Sequence, residues 1–114
     1  MLPPLHRRPR RSMLLLGLLF VGAAATPLQA AETALVTIDN FVFKPDRLVV
    51  KPGTVVTFRN DDDIPHLVVA TDHSFRSPAL DTGGTYQITV TKAGDLAYFC
   101  GLHPHMQGMI TVSP

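Results

Sequence analysis

The sequence predicts an all-β domain built as a β-sandwich of roughly seven to eight strands. Three observations carry this. After residue 31 no stretch repeats its apolar residues at helical spacing. Short runs alternate apolar and polar side chains instead, as half-buried strands do. Turn residues punctuate those runs about every eight to twelve positions, the rhythm of a sandwich.

Residues 33–38 read as a first strand, broken at Asp39-Asn40 and resumed over residues 41–43 toward Lys44-Pro45. Residues 47–50 form the next, closed by Lys51-Pro52-Gly53, whose Pro and Gly suit a turn. Residues 54–59 alternate most cleanly of all. Residues 60–65 make a polar loop, and a strand over residues 66–70 opens on His66. A looser stretch over 71–78 leads to a turn at Gly83-Gly84 and an alternating strand over 85–90. Ala93-Gly94 turns the chain into a strand over 95–100 that ends on Cys100, and residues 108–112 close the domain.

The first 31 residues are expected to lie outside it. Arg7, Arg8, Arg10 and Arg11 precede an apolar run over residues 13–25, then a break at Thr26-Pro27 and small residues at Ala30 and Ala31. That is the layout of a secretory signal peptide, and the run is too short to span a bilayer. Cleavage is expected after Ala30 or Ala31. An uncleaved anchor is the alternative, and Arg10-Arg11 before Ser12 is a loose match to a twin-arginine signal. The leader holds four of the ten Lys and Arg and none of the nine acids, so the net charge of +1 becomes about −3 over residues 32–114. The basic balance therefore belongs to the leader and gives no reason to expect nucleic-acid binding.

A domain of 83 residues has a small core and often leans on a disulfide or a metal. The single Cys100 cannot form an internal disulfide, so a metal is the remaining staple. Cys100, His103 and Met106 supply it, at spacings of three along Cys100-Gly101-Leu102-His103-Pro104-His105-Met106. Thiolate and thioether suit Cu(I) and imidazole suits Cu(II), so the mixture serves copper in both states. A trigonal His₂Cys site with a weak axial Met needs one more His, and His66, at the start of another strand, is the candidate. Pro104 stiffens the loop. Zinc is the competing metal, through Cys100, His103, His105 and His66, but Met106 is a poor zinc donor. His105 is also an alternative to His103 as the loop imidazole. His73 reads as a surface residue in a polar loop, and His6 belongs to the leader.

These residues stand among longer motifs. They are residues 38–45 (Ile38-Asp39-Asn40-Phe41 onward), residues 50–58 around Lys51-Pro52-Gly53, Asn60-Asp61 with Pro65-His66, and residues 98–108. On them the whole domain resembles the cupredoxins, the small type-1 copper proteins of the amicyanin, pseudoazurin and plastocyanin group. The short Cys-x₂-His-x₂-Met loop is most similar to amicyanin. The resemblance implies a Greek-key β-sandwich with one copper at one end, held by His66, Cys100, His103 and Met106. Two positions depart from the family pattern. Leu67 stands where an Asn usually ties the two ligand loops together, and Asn60 or Asp61 would have to compensate. His105 stands where an aromatic residue is usual.

The expected function is electron transfer by an exported, periplasmic, monomeric protein that cycles Cu(II)/Cu(I) between a redox donor and an acceptor. His103 would be the electron port, with Leu102, Pro104, His105 and Pro65 (and Ile64) touching the partner over a small interface. Asp61-Asp62-Asp63 would either steer a basic partner or form a solvated loop. The alternative is a copper-binding or delivery protein without an electron partner. An enzyme is not expected: there is one His-x-His, no second Cys for a binuclear centre, and no Ser-His-Asp set or phosphate loop.

Overall fold

A computed structural model describes residues 2–4 and 32–114, so the predicted leader, apart from residues 2–4, lies outside the described residues. Eight strands form two four-stranded sheets, with no helix among the described residues. They are β1 (Thr33–Asp39), β2 (Val42–Lys44), β3 (Arg47–Val50), β4 (Thr54–Asn60), β5 (Val68–Ala70), β6 (Thr85–Val90), β7 (Gly94–Cys100) and β8 (Gln107–Val112). One sheet runs β2-β1-β4-β6 and the other β3-β8-β7-β5. Both are mixed, because β1 lies parallel to β4 and β3 parallel to β8. The all-β sandwich expected from the sequence is the fold observed.

Alternation decides the layers. Along β4, Thr54, Val56, Phe58 and Asn60 are buried while the residues between them are half-buried. Val36 and Ile38 of β1, Tyr98 and Cys100 of β7, and Ile110 and Val112 of β8 complete the inner faces. Aromatic rings fill the middle edge-on, Tyr98 lying 4.8 Å from Phe43 and 5.2 Å from Phe58 between centroids. Such pairs add roughly 0.5–1.5 kcal/mol each beyond the area they bury.

The Tyr98 hydroxyl has no hydrogen-bond partner among the described residues. Burial, with the Asp46 carboxylate adding to it, holds this phenol neutral far above its usual range. An unpartnered buried hydroxyl contributes nothing to offset its lost hydration. Tyr98→Phe is therefore expected to leave stability unchanged or to raise it by up to about 1–3 kcal/mol, as urea unfolding would show. A loss above about 1 kcal/mol would mean that the hydroxyl is bonded after all.

Two local differences from the sequence reading matter for the site. The break expected at Asp39-Asn40 is a corner between β1 and β2 that also takes in Phe41, which therefore does not start a strand; Asn40 and Phe41 both have left-handed φ (51° and 58°). His66 precedes β5 instead of opening it, and bridges to Leu80.

Candidate metal centre

Three elements converge at one end of the sandwich. β7 ends at Cys100, the turn that follows carries His103 and Met106, and β8 begins at Gln107. Three backbone hydrogen bonds close this turn on itself. The amide of His103 donates to Cys100 (3.2 Å), that of Met106 to His103 (2.9 Å), and that of Cys100 to Met106 (3.0 Å). Residues at spacings of three are thus folded over one another, which is what the Cys-x₂-His-x₂-Met pattern requires to surround one ion.

His66 comes from the neighbouring loop. Its amide donates to Leu80 and its carbonyl accepts from Leu80, at 3.1 and 2.8 Å. Two residues on, Val68 pairs directly with Cys100, which brings the imidazole beside the thiol. Asn60 braces this loop from within. Fully buried, its amide donates to the carbonyls of Ile64 and Leu80, both at 2.8 Å, and its oxygen accepts from the amide of Asp62 at 2.9 Å.

The donor atoms meet. Cys100 Sγ lies 3.6 Å from His66 Nδ1 and 3.7 Å from His103 Nδ1, and one ligand atom from each residue lies within 4.8 Å of the others. Bonds of roughly 2.3 Å to sulfur and 2.0 Å to nitrogen, opened at trigonal angles, would put sulfur and nitrogen roughly 3.7 Å apart. The cradle therefore fits a metal with no rearrangement of these three side chains. His66, Cys100 and Met106 are buried and His103 is half-buried. One thiolate, two imidazoles and a neighbouring thioether suit copper over zinc, for which Met is a poor donor. The group that fits is a single copper ion.

The alternatives in the sequence separate here. His105 is exposed, its ring 6.4 Å from that of His103, and its nitrogens are not among the clustered donors. His73 is exposed on a turn with φ of 67°. Leu102, Pro104 and His105 are exposed around His103, and Pro65 is exposed beside His66. The link lost with Leu67 is partly made by its backbone, whose carbonyl accepts from the Gly101 amide at 3.3 Å. Asn60, not Asp61, supports the His66 loop, because Asp61 faces Arg59 at 2.8 and 3.1 Å.

Two participants were not visible in the sequence as such. Phe41 lies edge-on to His66 and to His103, with centroids 5.6 and 5.2 Å apart. Asp62 accepts from His66 Nε2 at 2.8 Å. Burial alone would raise the Asp62 carboxyl, but the amides of Phe41 and Asn40 and the His66 ring together hold it below the usual carboxylate range. The acid run is thus divided. Asp61 is paired with Arg59, Asp62 is turned into the site, and Asp63 is exposed.

Comparison with known proteins agrees with this geometry. A family model described as a cupredoxin-like domain matches residues 12–112. Amicyanin from Paracoccus denitrificans is 32% identical over 96 residues, covering 76% of this chain and 73% of its own length. A purple cupredoxin from Nitrosopumilus maritimus superposes with a TM-score of 0.68 at 32% identity, covering 70% of this chain and 99% of that one. A copper-containing nitrite reductase from Thermus scotoductus also aligns (TM-score 0.68, 32% identity), over 76% of this chain but 23% of the enzyme. A two-sheet sandwich carrying this donor set at one end, with a family model matched along most of its length, places the chain in the cupredoxin family.

Proposed function

We propose that the chain is an exported mononuclear blue-copper protein that carries single electrons between periplasmic redox partners. The observation that carries this is the thiol sulfur lying 3.6 and 3.7 Å from two imidazole nitrogens at the buried end of the sandwich. Bound copper would supply the one-electron Cu(II)/Cu(I) couple. His66 and His103 would hold it through Nδ1, Cys100 through Sγ, and Met106 through its thioether. The backbone bonds that close the loop keep these donors in one arrangement for both oxidation states, which favours fast transfer.

His103 is the outermost donor and serves as the electron port. Leu102, Pro104, His105 and Pro65 form the exposed rim against which a donor or acceptor docks, over the small area usual for transient redox encounters. With Asp61 neutralised by Arg59 and Asp62 turned inward, charge steering at this rim is weak. The domain acts as a monomer after removal of residues 1–31 and has no catalytic role of its own. Burial of His66, Cys100 and Met106 supports this reading over copper delivery, which needs donors that open to exchange.

The test is the visible and EPR spectrum of residues 32–114 loaded with Cu(II). An intense thiolate-to-copper band with narrow hyperfine splitting is expected. A pale, tetragonal spectrum would overturn the electron-transfer reading in favour of delivery. His105→Ala is expected to keep the band at full intensity, and a lost band would make His105 a ligand.

A further inference from the structure

Asp62 does more than the neighbouring acids of its run. Its side chain is 12% exposed, yet it meets three donors. Oδ1 accepts from the Asn40 amide at 2.6 Å. Oδ2 accepts from the Phe41 amide at 3.0 Å and lies 2.8 Å from His66 Nε2. An ionised carboxylate can only accept, so Nε2 of His66 carries the ring proton and donates it to Asp62, which leaves Nδ1 without a proton toward the Cys100 sulfur.

The other two donors belong to the corner at Asn40 and Phe41. Asn tolerates left-handed backbone, but a bulky residue held there costs about 1–3 kcal/mol unless its surroundings impose it. A carboxylate gripping both successive amides is such an imposition. What the corner gains is the placement of one ring: Phe41 stands nearly perpendicular to both imidazoles, at 88° to His66 and 85° to His103.

We propose that Asp62 is the positioning residue of the copper centre, its carboxylate fixing His66 through Nε2 and, through the Asn40–Phe41 corner, holding the Phe41 ring across both imidazoles. The inference rests on the copper reading above. It has two consequences. A fixed negative charge hydrogen-bonded to a ligand imidazole favours Cu(II) over Cu(I) and lowers the reduction potential. The Phe41 ring also keeps water from the edges of His66 and His103 on that side. Only a carboxylate serves, because three donors on two oxygens leave no place for the NH₂ group of an amide.

The variant Asp62→Asn is isosteric and must turn its NH₂ toward either Asn40 or the His66–Phe41 pair. Two readouts apply, the midpoint potential of the copper form and hydrogen exchange of the Asn40 and Phe41 amides in the copper-free protein. The expected results are a potential raised by about 59 mV, a tenfold change in the relative affinity for the two oxidation states, and at least tenfold faster exchange at one or both amides. Asp62→Glu keeps the charge one methylene further out, and both of its readouts are expected to fall between wild type and Asp62→Asn. If wild type is blue and either readout is unchanged in both variants, the proposal is overturned, as it is if only thermal stability changes. A wild type that is not blue would sink the copper-centre reading instead, and exchange in the copper-free protein would still decide whether Asp62 holds the corner.

Discussion

Gly108→Ala is expected to lower the stability of the copper-free domain by about 3 kcal/mol or more, the upper end for an overpacked core. Gly108 of β8 pairs directly with Tyr98 of β7. A methyl group there would fall inside the van der Waals envelope of Tyr98 Cζ, Oη and Cε2. The ring cannot swing clear, since Phe43 and Phe58 pack edge-on against it. In a domain this small each kcal/mol moves the melting temperature by about 4–8 °C, so a drop of roughly 12–24 °C is expected. A double-mutant cycle assigns the cause. Tyr98→Leu makes room beside residue 108, so Gly108→Ala should cost much less in that background. Equal costs in both backgrounds would show that the clash with Tyr98 is not what makes Gly108 necessary.

The second large effect is at Asn60. Asn60→Ala removes three hydrogen bonds within a fully buried side chain and strips the Ile64 carbonyl and the Asp62 amide of the partner each has there. Each buried polar group left unpaired costs about 1–3 kcal/mol, so for these two a loss of about 2–6 kcal/mol is expected in urea unfolding. The loop that loses its brace is the one carrying His66, while the thiol sits on a strand end that is untouched. Copper affinity is therefore expected to fall together with stability, and the thiolate band to shift or broaden instead of vanishing. A stability loss with an unaltered spectrum would show that His66 is held in place without Asn60, by the Leu80 bridge and Asp62.

Much of this was legible from local pattern. The alternation over β4 is a two-residue period that names its own buried face. Cys100 ending a strand, with His103 and Met106 at spacings of three, confines three donors to one turn whatever the rest of the fold does. His66 followed from the chemistry of a site that lacked one imidazole. The break at Asn40 was legible, but that the corner extends to Phe41 was not. Phe41 is a residue type that favours strands, and nothing within its own neighbourhood overrides that preference. What does so is Asp62, 21 positions further on. Asp62 in turn sits in a row of three acids that looks uniformly solvated, and only the approach of β1 to β4 sets its middle member apart. Pairings of this kind depend on which segments the fold brings together, and local sequence does not carry that information.

The ring of three backbone bonds through Cys100, His103 and Met106 also bears on how the metal is taken up. Fixing the backbone of one residue costs about 1–2 kcal/mol in conformational entropy. Over residues 100–106 a floppy loop would subtract on the order of 10 kcal/mol from the free energy of copper binding. The bonds that close this loop run between its own peptide groups and need no ion, so folding itself takes up that entropy cost. Copper should therefore bind as to a rigid chelator, with little heat-capacity change and with copper-free and copper-bound chains of the same shape.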